Sequence, residues 1–144
     1  STETIKVTLP RPVESDLANG VHLMVLEDRR APQVSFQLIV PGAGGFYDPA
    51  DLPGLSSITA AMMREGTASR NTLQISEMLE TMAATVGVSS GLSAVTASIS
   101  GSSLTESFGK TVGLAADLLL NPTFPQEELD RYKTRTRGGL SSTT

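Results

Sequence analysis

The sequence predicts an α+β domain in which helices pack on one face of a mostly antiparallel sheet. Segments with an apolar repeat of two residues occur in two blocks, and each block is followed by segments with helical spacing. No internal repeat or low-complexity segment interrupts this order. The chain has 144 residues, of which 39% are apolar, and this is enough to form one globular core.

The first block contains three predicted strands. Residues 14–17 and 21–27 flank the dipeptide Asn19-Gly20, which favours a tight hairpin turn because both residues tolerate positive φ. Apolar and polar residues then alternate over residues 33–40, which is typical of a strand with one buried face. Residues 41–54 are rich in Gly and Pro, and we therefore expect a loop there.

Two helices are predicted after this loop. Apolar residues recur at helical spacing over residues 55–63, and Gly66 is a suitable stop for the first helix. Asn71 and Gln74 have the spacing of a capping box, and the apolar stripe of the second helix continues to about Val86.

The second block is a hairpin followed by two more helices. Residues 87–90 and 94–100 read as the two strands of the hairpin. Helical spacing over residues 104–119 predicts a third helix, which Asn121-Pro122 ends because proline cannot continue the hydrogen-bond ladder. A fourth helix is predicted from about Pro125. Its charges follow the order that the helix dipole favours, with acids first and bases later: Glu127, Glu128, Asp130, Lys133, Arg135 and Arg137.

Composition excludes several classes of function. The net charge is −4 and no basic cluster is left unexplained, so nucleic acid is not expected as a partner. Without Cys the chain has no disulfide, no thiol nucleophile and no Cys-ligated zinc. The apolar runs are far shorter than the roughly 18 residues of a membrane span.

Few residues carry chemistry, and the only histidine is isolated. His22 lies between Val21 and Leu23 with no His, Cys or carboxylate at ligand spacing, so we interpret it as a structural or surface residue. The Gly-rich segment 42–45 follows a strand, but neither a Lys-Ser/Thr pair nor a helix start follows at phosphate-loop spacing. This segment is therefore interpreted as a turn.

The hydroxyl and carboxyl residues also lack a catalytic arrangement. Serine pairs occur at 56–57 and 89–90, but a nucleophilic serine needs a base, and the one histidine has no evident link to either pair. Glu77 and Glu80 lie three residues apart on the second predicted helix, which is typical of a solvated helix face.

Short motifs along nearly the whole chain resemble the amino-terminal part of the pitrilysin family of metallopeptidases, which is also called insulinase-like or mitochondrial-processing-peptidase-like. In chain order the motifs are Leu17–Leu23, Gly54-Leu55-Ser56, Glu65-Gly66-Thr67, Leu118–Phe124 and Glu127-Glu128-Leu129. The resemblance implies that residues 1–144 are the amino-terminal part of one such domain. Because domains of this family run further, we expect the chain to be truncated at its carboxyl end.

The resemblance also implies that this chain has lost the family's zinc site. Active members carry His-x-x-Glu-His after the Gly-Leu pair, and there two histidines bind zinc while the glutamate activates water. Aligned directly, Ser57 and Ala61 replace the two histidines and Ala60 replaces the glutamate. The family's third ligand, a later glutamate, falls near Gly139. We therefore expect no metal and no cofactor in this chain, and no peptide cleavage by the chain alone.

The family's architecture suggests a role for such a domain. Members build a chamber from four homologous domains, and only one of these usually carries zinc. Residues 10–14 resemble the start of the non-catalytic half or subunit of bacterial zinc proteases. The leading hypothesis is a chamber-wall subunit that helps to bind peptide for a zinc-bearing partner domain or chain. Val88, Ser89 and Ser90 are the candidate peptide-binding edge, although an ordinary hairpin strand also explains them.

Two other hypotheses stay open. One is a purely structural homologue, similar to the core proteins of the respiratory cytochrome complex, which resemble this family and cleave nothing. The other is an unrelated α+β enzyme, which a ligand bound near residues 42–45 would favour. The sequence does not decide between bacterial periplasm, which is favoured, and cytoplasm.

Overall fold

The computed structural model describes residue 4 and residues 10–141, and the chain divides into two compact units, of which the second begins at Gln33. Within the first unit, strands β1 (Val13–Asp16) and β2 (His22–Val25) form an antiparallel hairpin. Gly20 has a φ of 90° in the connecting turn. The predicted hairpin is confirmed, with strands that end one or two residues earlier than expected.

Among its described residues, the second unit contains three strands and four helices. In chain order they are β3 (Gln33–Pro41), α1 (Leu55–Met63), α2 (Thr72–Thr81), β4 (Thr85–Ser90), β5 (Thr96–Leu104), α3 (Phe108–Leu120) and α4 (Gln126–Ser141). A single turn of 3-10 helix lies in the β3–α1 loop, and another precedes α3.

The three strands form one antiparallel sheet in the order β3-β5-β4. Gln33 lies opposite Leu104 at one end of the β3–β5 pair, and Thr85 lies opposite Ser102 in the β4–β5 pair. Along β3, exposed residues alternate with half-buried ones, so one face of the sheet is covered and the other is open. The predicted α+β class with a mostly antiparallel sheet is confirmed.

The core of the second unit lies between the covered face of the sheet and helices α2 and α3. Its members are almost all aliphatic: Ile75, Leu79, Ala84, Val86, Ile99, Leu114, Ala115 and Leu118. Phe36 and Phe108 add an edge-to-face ring pair with centroids 6.1 Å apart.

Helix α2 has the predicted start and an earlier end than predicted. The Asn71 side chain accepts a hydrogen bond from the Gln74 N–H at 2.8 Å, and the Gln74 side chain accepts one from the Asn71 N–H at 2.9 Å, which confirms the capping box. The helix ends at Thr81, because Ala83 turns the chain with a φ of 48°. Val86, predicted at the helix end, is a buried strand residue of β4.

Two other predicted boundaries and one interpretation of charge order are corrected. Leu104 is the last residue of β5 and not part of α3, since β5 pairs with β3 over nine residues and holds Leu104 opposite Gln33. β4 begins two residues before the expected Gly87. The acidic first turn of α4 is as predicted, but its last turn contains no basic residue, so the dipole does not account for the later bases. No helix in the described part of the chain is long and apolar enough to span a membrane.

Candidate functional site

Helix α1 holds Ser57, Ala60 and Ala61, which the sequence prediction aligned with the family's zinc motif, and a carboxylate from the preceding loop fixes its amino terminus. Gly54 precedes the helix and has no side chain that could cap it. Instead, Asp48 accepts hydrogen bonds from the N–H groups of Gly54, at 2.9 Å, and Ser56, at 3.0 Å. These are N–H groups that a helix start leaves unpaired, and the positive end of the helix dipole also favours the negative charge.

The three residues at these positions of α1 are buried or half-buried. Ala60 is 4% exposed, while Ser57 and Ala61 are half-buried. Gly139 lies in α4. Within the described residues, no group of three or more His, Cys, Asp or Glu side chains is placed to hold a metal ion. At the three positions on α1, the only side-chain atom able to contact a metal or a substrate's polar group is the Ser57 hydroxyl.

A second carboxylate fixes the loop that follows α1. Asp117 of α3 accepts hydrogen bonds from the hydroxyl of Thr67 at 2.6 Å, the hydroxyl of Ser69 at 3.0 Å and the guanidinium of Arg70 at 3.1 Å, all at Oδ2. Its Oδ1 accepts one from the Asn121 amide at 3.0 Å. The loop between α1 and α2 is thereby tied to the end of α3.

These hydrogen bonds hold the pKa of Asp117 below its usual value. The Thr67 hydroxyl has the largest effect, followed by the Asn121 amide, and Ser69 and Arg70 act in the same direction, while burial opposes them. The side chain of Asp117 is only 14% exposed. A charged, largely buried carboxylate that accepts hydrogen bonds from four donors is typical of a structural role. Here it connects the loop between α1 and α2 to α3.

Strand β4, which carries the candidate peptide-binding residues, lies at the edge of the sheet. Within the described part of the chain it pairs with β5 alone. Val88 is half-buried on the helix-covered face, opposite Ile99, and Ser89 is exposed on the open face, where its hydroxyl lies 3.2 Å from that of Ser98. The Ser90 hydroxyl donates to the Ala43 carbonyl at 3.2 Å, so it also ties β4 to the β3–α1 loop.

The Gly-rich segment 42–45 is a turn packed against the β4–β5 loop. The Gly45 N–H donates to the Gly91 carbonyl and the Phe46 N–H to the Ala94 carbonyl, both at 3.0 Å. A Cβ atom on Gly44 would lie 1.9 Å from the Ala94 carbonyl oxygen, so a side chain cannot fit there. Because these N–H groups already have backbone partners, they do not form a cradle for phosphate.

His22 has a carboxylate neighbour that its sequence spacing does not indicate. The hairpin register places Asp16 directly opposite, with Oδ1 2.7 Å from His22 Nδ1. Both side chains are largely exposed, at 52% and 79%. This agrees with the interpretation of His22 as a surface residue.

Comparison with known proteins identifies the family. The sequence profile described as insulinase, peptidase family M16, matches residues 23–140, which is most of the chain. The chain belongs to peptidase family M16. The resemblance read from the motifs between Leu17 and Leu129 is thereby confirmed at the level of the insulinase family.

A solved structure also resembles this M16 chain. It is a peptidase M16 inactive domain from Pseudomonas fluorescens, with 26% sequence identity and a TM-score of 0.79. The similarity covers 91% of this chain and 31% of that one, so this chain spans about a third of the length of its solved relative. The comparison with curated proteins gave no match.

Sequence reasoning assigned residues of the M16 chain to the motif positions, which stays a prediction, and missed the groups that hold the surrounding structure. The sequence contains one indication of the role of Asp48. Helix α1 begins after a glycine, so its first N–H groups need an acceptor from another residue. The sequence contains no indication of the role of Asp117, because its loop partners are 47–50 residues away.

Proposed function

We infer that this chain is a non-catalytic domain of an M16 peptidase assembly, which forms part of the chamber wall and helps to bind peptide for a zinc-bearing partner domain. The observation that carries this proposal is the identity of Ser57, Ala60 and Ala61 on α1, within a chain that otherwise keeps the family's fold. Alanine has no ligand atom and cannot act as a base. Catalytic zinc needs three protein ligands and a bound water, with a carboxylate to activate it.

The solved relative supports the proposal that this chain is non-catalytic and that a partner supplies the zinc. That protein is an inactive domain of the same family, and its chain extends well beyond the region that this chain matches. A domain without zinc ligands contributes to peptide cleavage only through a partner that supplies the metal. The partner proposed here is a homologous M16 domain or chain with the intact His-x-x-Glu-His motif.

The edge strand supports the peptide-binding part of the proposal. A strand paired on one side presents unpaired N–H and C=O groups along its free side, and an extended peptide can add to these groups. Val88, Ser89 and Ser90 lie on β4. Backbone pairing requires little of the peptide's sequence, which suits a domain that holds varied substrates.

The open face of the sheet supports the chamber-wall part. On β4 and β5 it carries hydroxyl side chains that pair across the strands, Thr85 with Ser102 at 2.9 Å and Ser89 with Ser98 at 3.2 Å. None of these side chains is charged or large. This part of the face is polar and uncharged, so it neither repels nor traps an unfolded peptide through strong charge or large apolar contacts.

The deciding experiment is peptide cleavage by an M16 polypeptide from the same organism that carries His-x-x-Glu-His, measured with and without this chain as part of its full-length polypeptide. Zinc is assayed on each component. We expect cleavage to depend on both polypeptides, with zinc only on the partner. A partner whose motif glutamate is replaced by glutamine serves as control and should be inactive in both mixtures.

Two results would overturn the proposal. Stoichiometric zinc on this chain, or cleavage by it alone, would mean that the alignment of Ser57, Ala60 and Ala61 with the zinc motif is wrong. If the partner cleaves equally well without this polypeptide, the purely structural homologue becomes the better account.

A further inference from the structure

The turn of the β1–β2 hairpin contains the one Asn-Gly pair of the chain. The sequence has three asparagines, Asn19, Asn71 and Asn121, which are followed by glycine, threonine and proline respectively. All three are exposed. They therefore share access to water, and they differ in the next residue and in their hydrogen bonds.

An asparagine side chain can be attacked by the backbone nitrogen of the residue that follows it. After that nitrogen loses its proton, it forms a bond to Cγ and expels the side-chain nitrogen as ammonia, which leaves a succinimide ring. Water then opens the ring at either carbonyl and gives aspartate or isoaspartate. In isoaspartate the chain runs through the side-chain carbons, so the backbone is longer by one atom. Amide and water become acid and ammonia, and no other reactant is needed.

The Asn19 side chain lies over the backbone nitrogen that would attack it. Its Oδ1 accepts a hydrogen bond from the Val21 N–H at 3.2 Å, which closes an Asx turn around the Gly20 nitrogen. A donor on Oδ1 also draws electrons from Cγ and makes it more open to a nucleophile. Gly20 has no Cβ to obstruct the approach, and a Cβ there would meet no atom within 4 Å, so water also has access.

One hydrogen bond opposes the reaction. The Gly20 N–H donates to the Leu17 carbonyl at 2.9 Å, and this bond must open before the nitrogen can react. Strands β1 and β2 have four residues each, and all of them are exposed. A hairpin of two such strands is marginally stable, so its turn opens at a low cost in free energy.

The other two asparagines lack these features. The Asn71 Oδ1 accepts the Gln74 N–H at 2.8 Å in the capping box, and the β-branched Thr72 that follows crowds the attacking nitrogen. Asn121 is followed by Pro122, whose nitrogen has no hydrogen to lose. The chain thus contains its own controls for the hairpin turn.

We propose that Asn19 is a site of spontaneous modification, at which the Gly20 nitrogen cyclises onto the side chain and water yields aspartate and isoaspartate. Isoaspartate lengthens the backbone inside the turn that sets the hairpin register. The strand pair nearest to this turn is Asp16 and His22, with Oδ1 2.7 Å from Nδ1. The isoaspartate form loses this pairing, and the aspartate form keeps it.

The test is incubation of the unaltered chain at neutral and mildly alkaline pH, followed by digestion and mass spectrometry of the three asparagine peptides. Asn19 should show the mass change of amide to acid about tenfold or more faster than Asn71, whose side chain must first leave its cap. The rate should rise with pH, because the nitrogen reacts only after it loses its proton. Isoaspartate should be among the products, since direct attack of water on Cγ gives aspartate alone.

Asn19→Gln keeps the amide but lengthens the side chain by a methylene, so the succinimide cannot form and the mass change should disappear. Asn71→Gln is the matched control and should leave the rate at Asn19 unchanged. The register is tested by NMR on the two products after chromatographic separation. Contacts between Asp16 and His22 should persist in the aspartate product, which carries the same added charge, and be lost in the isoaspartate product.

Three results would overturn the proposal. A rate at Asn19 no higher than that at Asn71, or a mass change that survives Asn19→Gln, would refute the site. Aspartate without isoaspartate, or a rate independent of pH, would refute the cyclic route. Contacts between Asp16 and His22 that survive in the isoaspartate product would refute the change of register.

Discussion

Replacement of Asp117 by Asn is expected to destabilise the chain through loss of the carboxylate that locks the loop after α1. Its Oδ2 atom accepts from Thr67, Ser69 and Arg70, and its Oδ1 atom accepts from Asn121. An amide at this position keeps one acceptor oxygen for the three loop donors but loses the negative charge that strengthens each bond. Its NH2 group then faces the NH2 group of Asn121, so two donors oppose each other.

The size of the effect follows from these contacts. A hydrogen bond to a charged group contributes about 1.5–3 kcal/mol, and bonds that share one acceptor do not add fully. We therefore expect Asp117→Asn to lower the free energy of unfolding by about 2–3 kcal/mol. For a chain of this length, that corresponds to a fall in Tm of roughly 6–12 °C.

The assay is urea unfolding of both proteins at several pH values. Because folding lowers the pKa of Asp117, its stabilising effect is fully present above the unfolded-state pKa of about 3.9 and is lost as the pH falls through the lower, folded-state pKa. The difference between wild type and Asp117→Asn should thus be constant from pH 7 to about 5 and shrink below about 4.

The control is Asp130→Asn on α4, where an exposed carboxylate accepts a single hydrogen bond from Gln126 at 2.9 Å. Its cost should stay within about 0.5 kcal/mol. If Asp117→Asn costs no more than this, or if its cost is unchanged at the lowest pH, the carboxylate network does not stabilise the loop in the way described.

Two further substitutions, each with its own control, test the surroundings of α1 and the scaffold by urea unfolding. Gly44→Ala should cost about 2–3 kcal/mol or more, since its Cβ would collide with the Ala94 carbonyl. The control is Gly113→Ala, on the exposed side of α3 with open space around it, which should raise the free energy of unfolding by about 0.5–1 kcal/mol. Equal effects of the two substitutions would contradict the close packing at Gly44. Asp48→Ala should cost about 1 kcal/mol by uncapping α1, whereas replacement of the exposed Asp51 should change little; a neutral Asp48→Ala would mean that α1 does not need this cap.

The sequence predicted most elements because their local signals agree with their final environment. The Asn71 capping box and the alternation along β3 both persist in the structure. The errors lie where one residue satisfies two patterns. Val86 continues the apolar stripe of α2 and also suits a buried strand, and only the pairing of β4 with β5 decides between them. Leu104 is ambiguous in the same way.

The candidate site was less accessible to sequence reasoning. Ser57, Ala60 and Ala61 were assigned to the zinc motif because a contiguous motif aligns them, and that assignment stays a prediction. An open cavity of about 370 Å³ beside α1 could not be predicted, because its wall combines side chains from three strands, two helices and a loop that only tertiary packing brings together. The Asp16–His22 pair depended on the register of the hairpin, which Asn19-Gly20 suggests but does not fix.

The structure gives a physical reason why α1 can keep its place without metal ligands. Asp48 holds one end of the helix and the Asp117 network holds the loop after the other end, and neither uses Ser57, Ala60 or Ala61. In metal sites that stabilise a fold, ligation contributes folding free energy directly. Here the helix is held by hydrogen bonds and by the burial of Ala60. Strand β4 belongs to the same unit as α1, so the proposed peptide binding is testable on this chain without the proposed zinc-bearing partner.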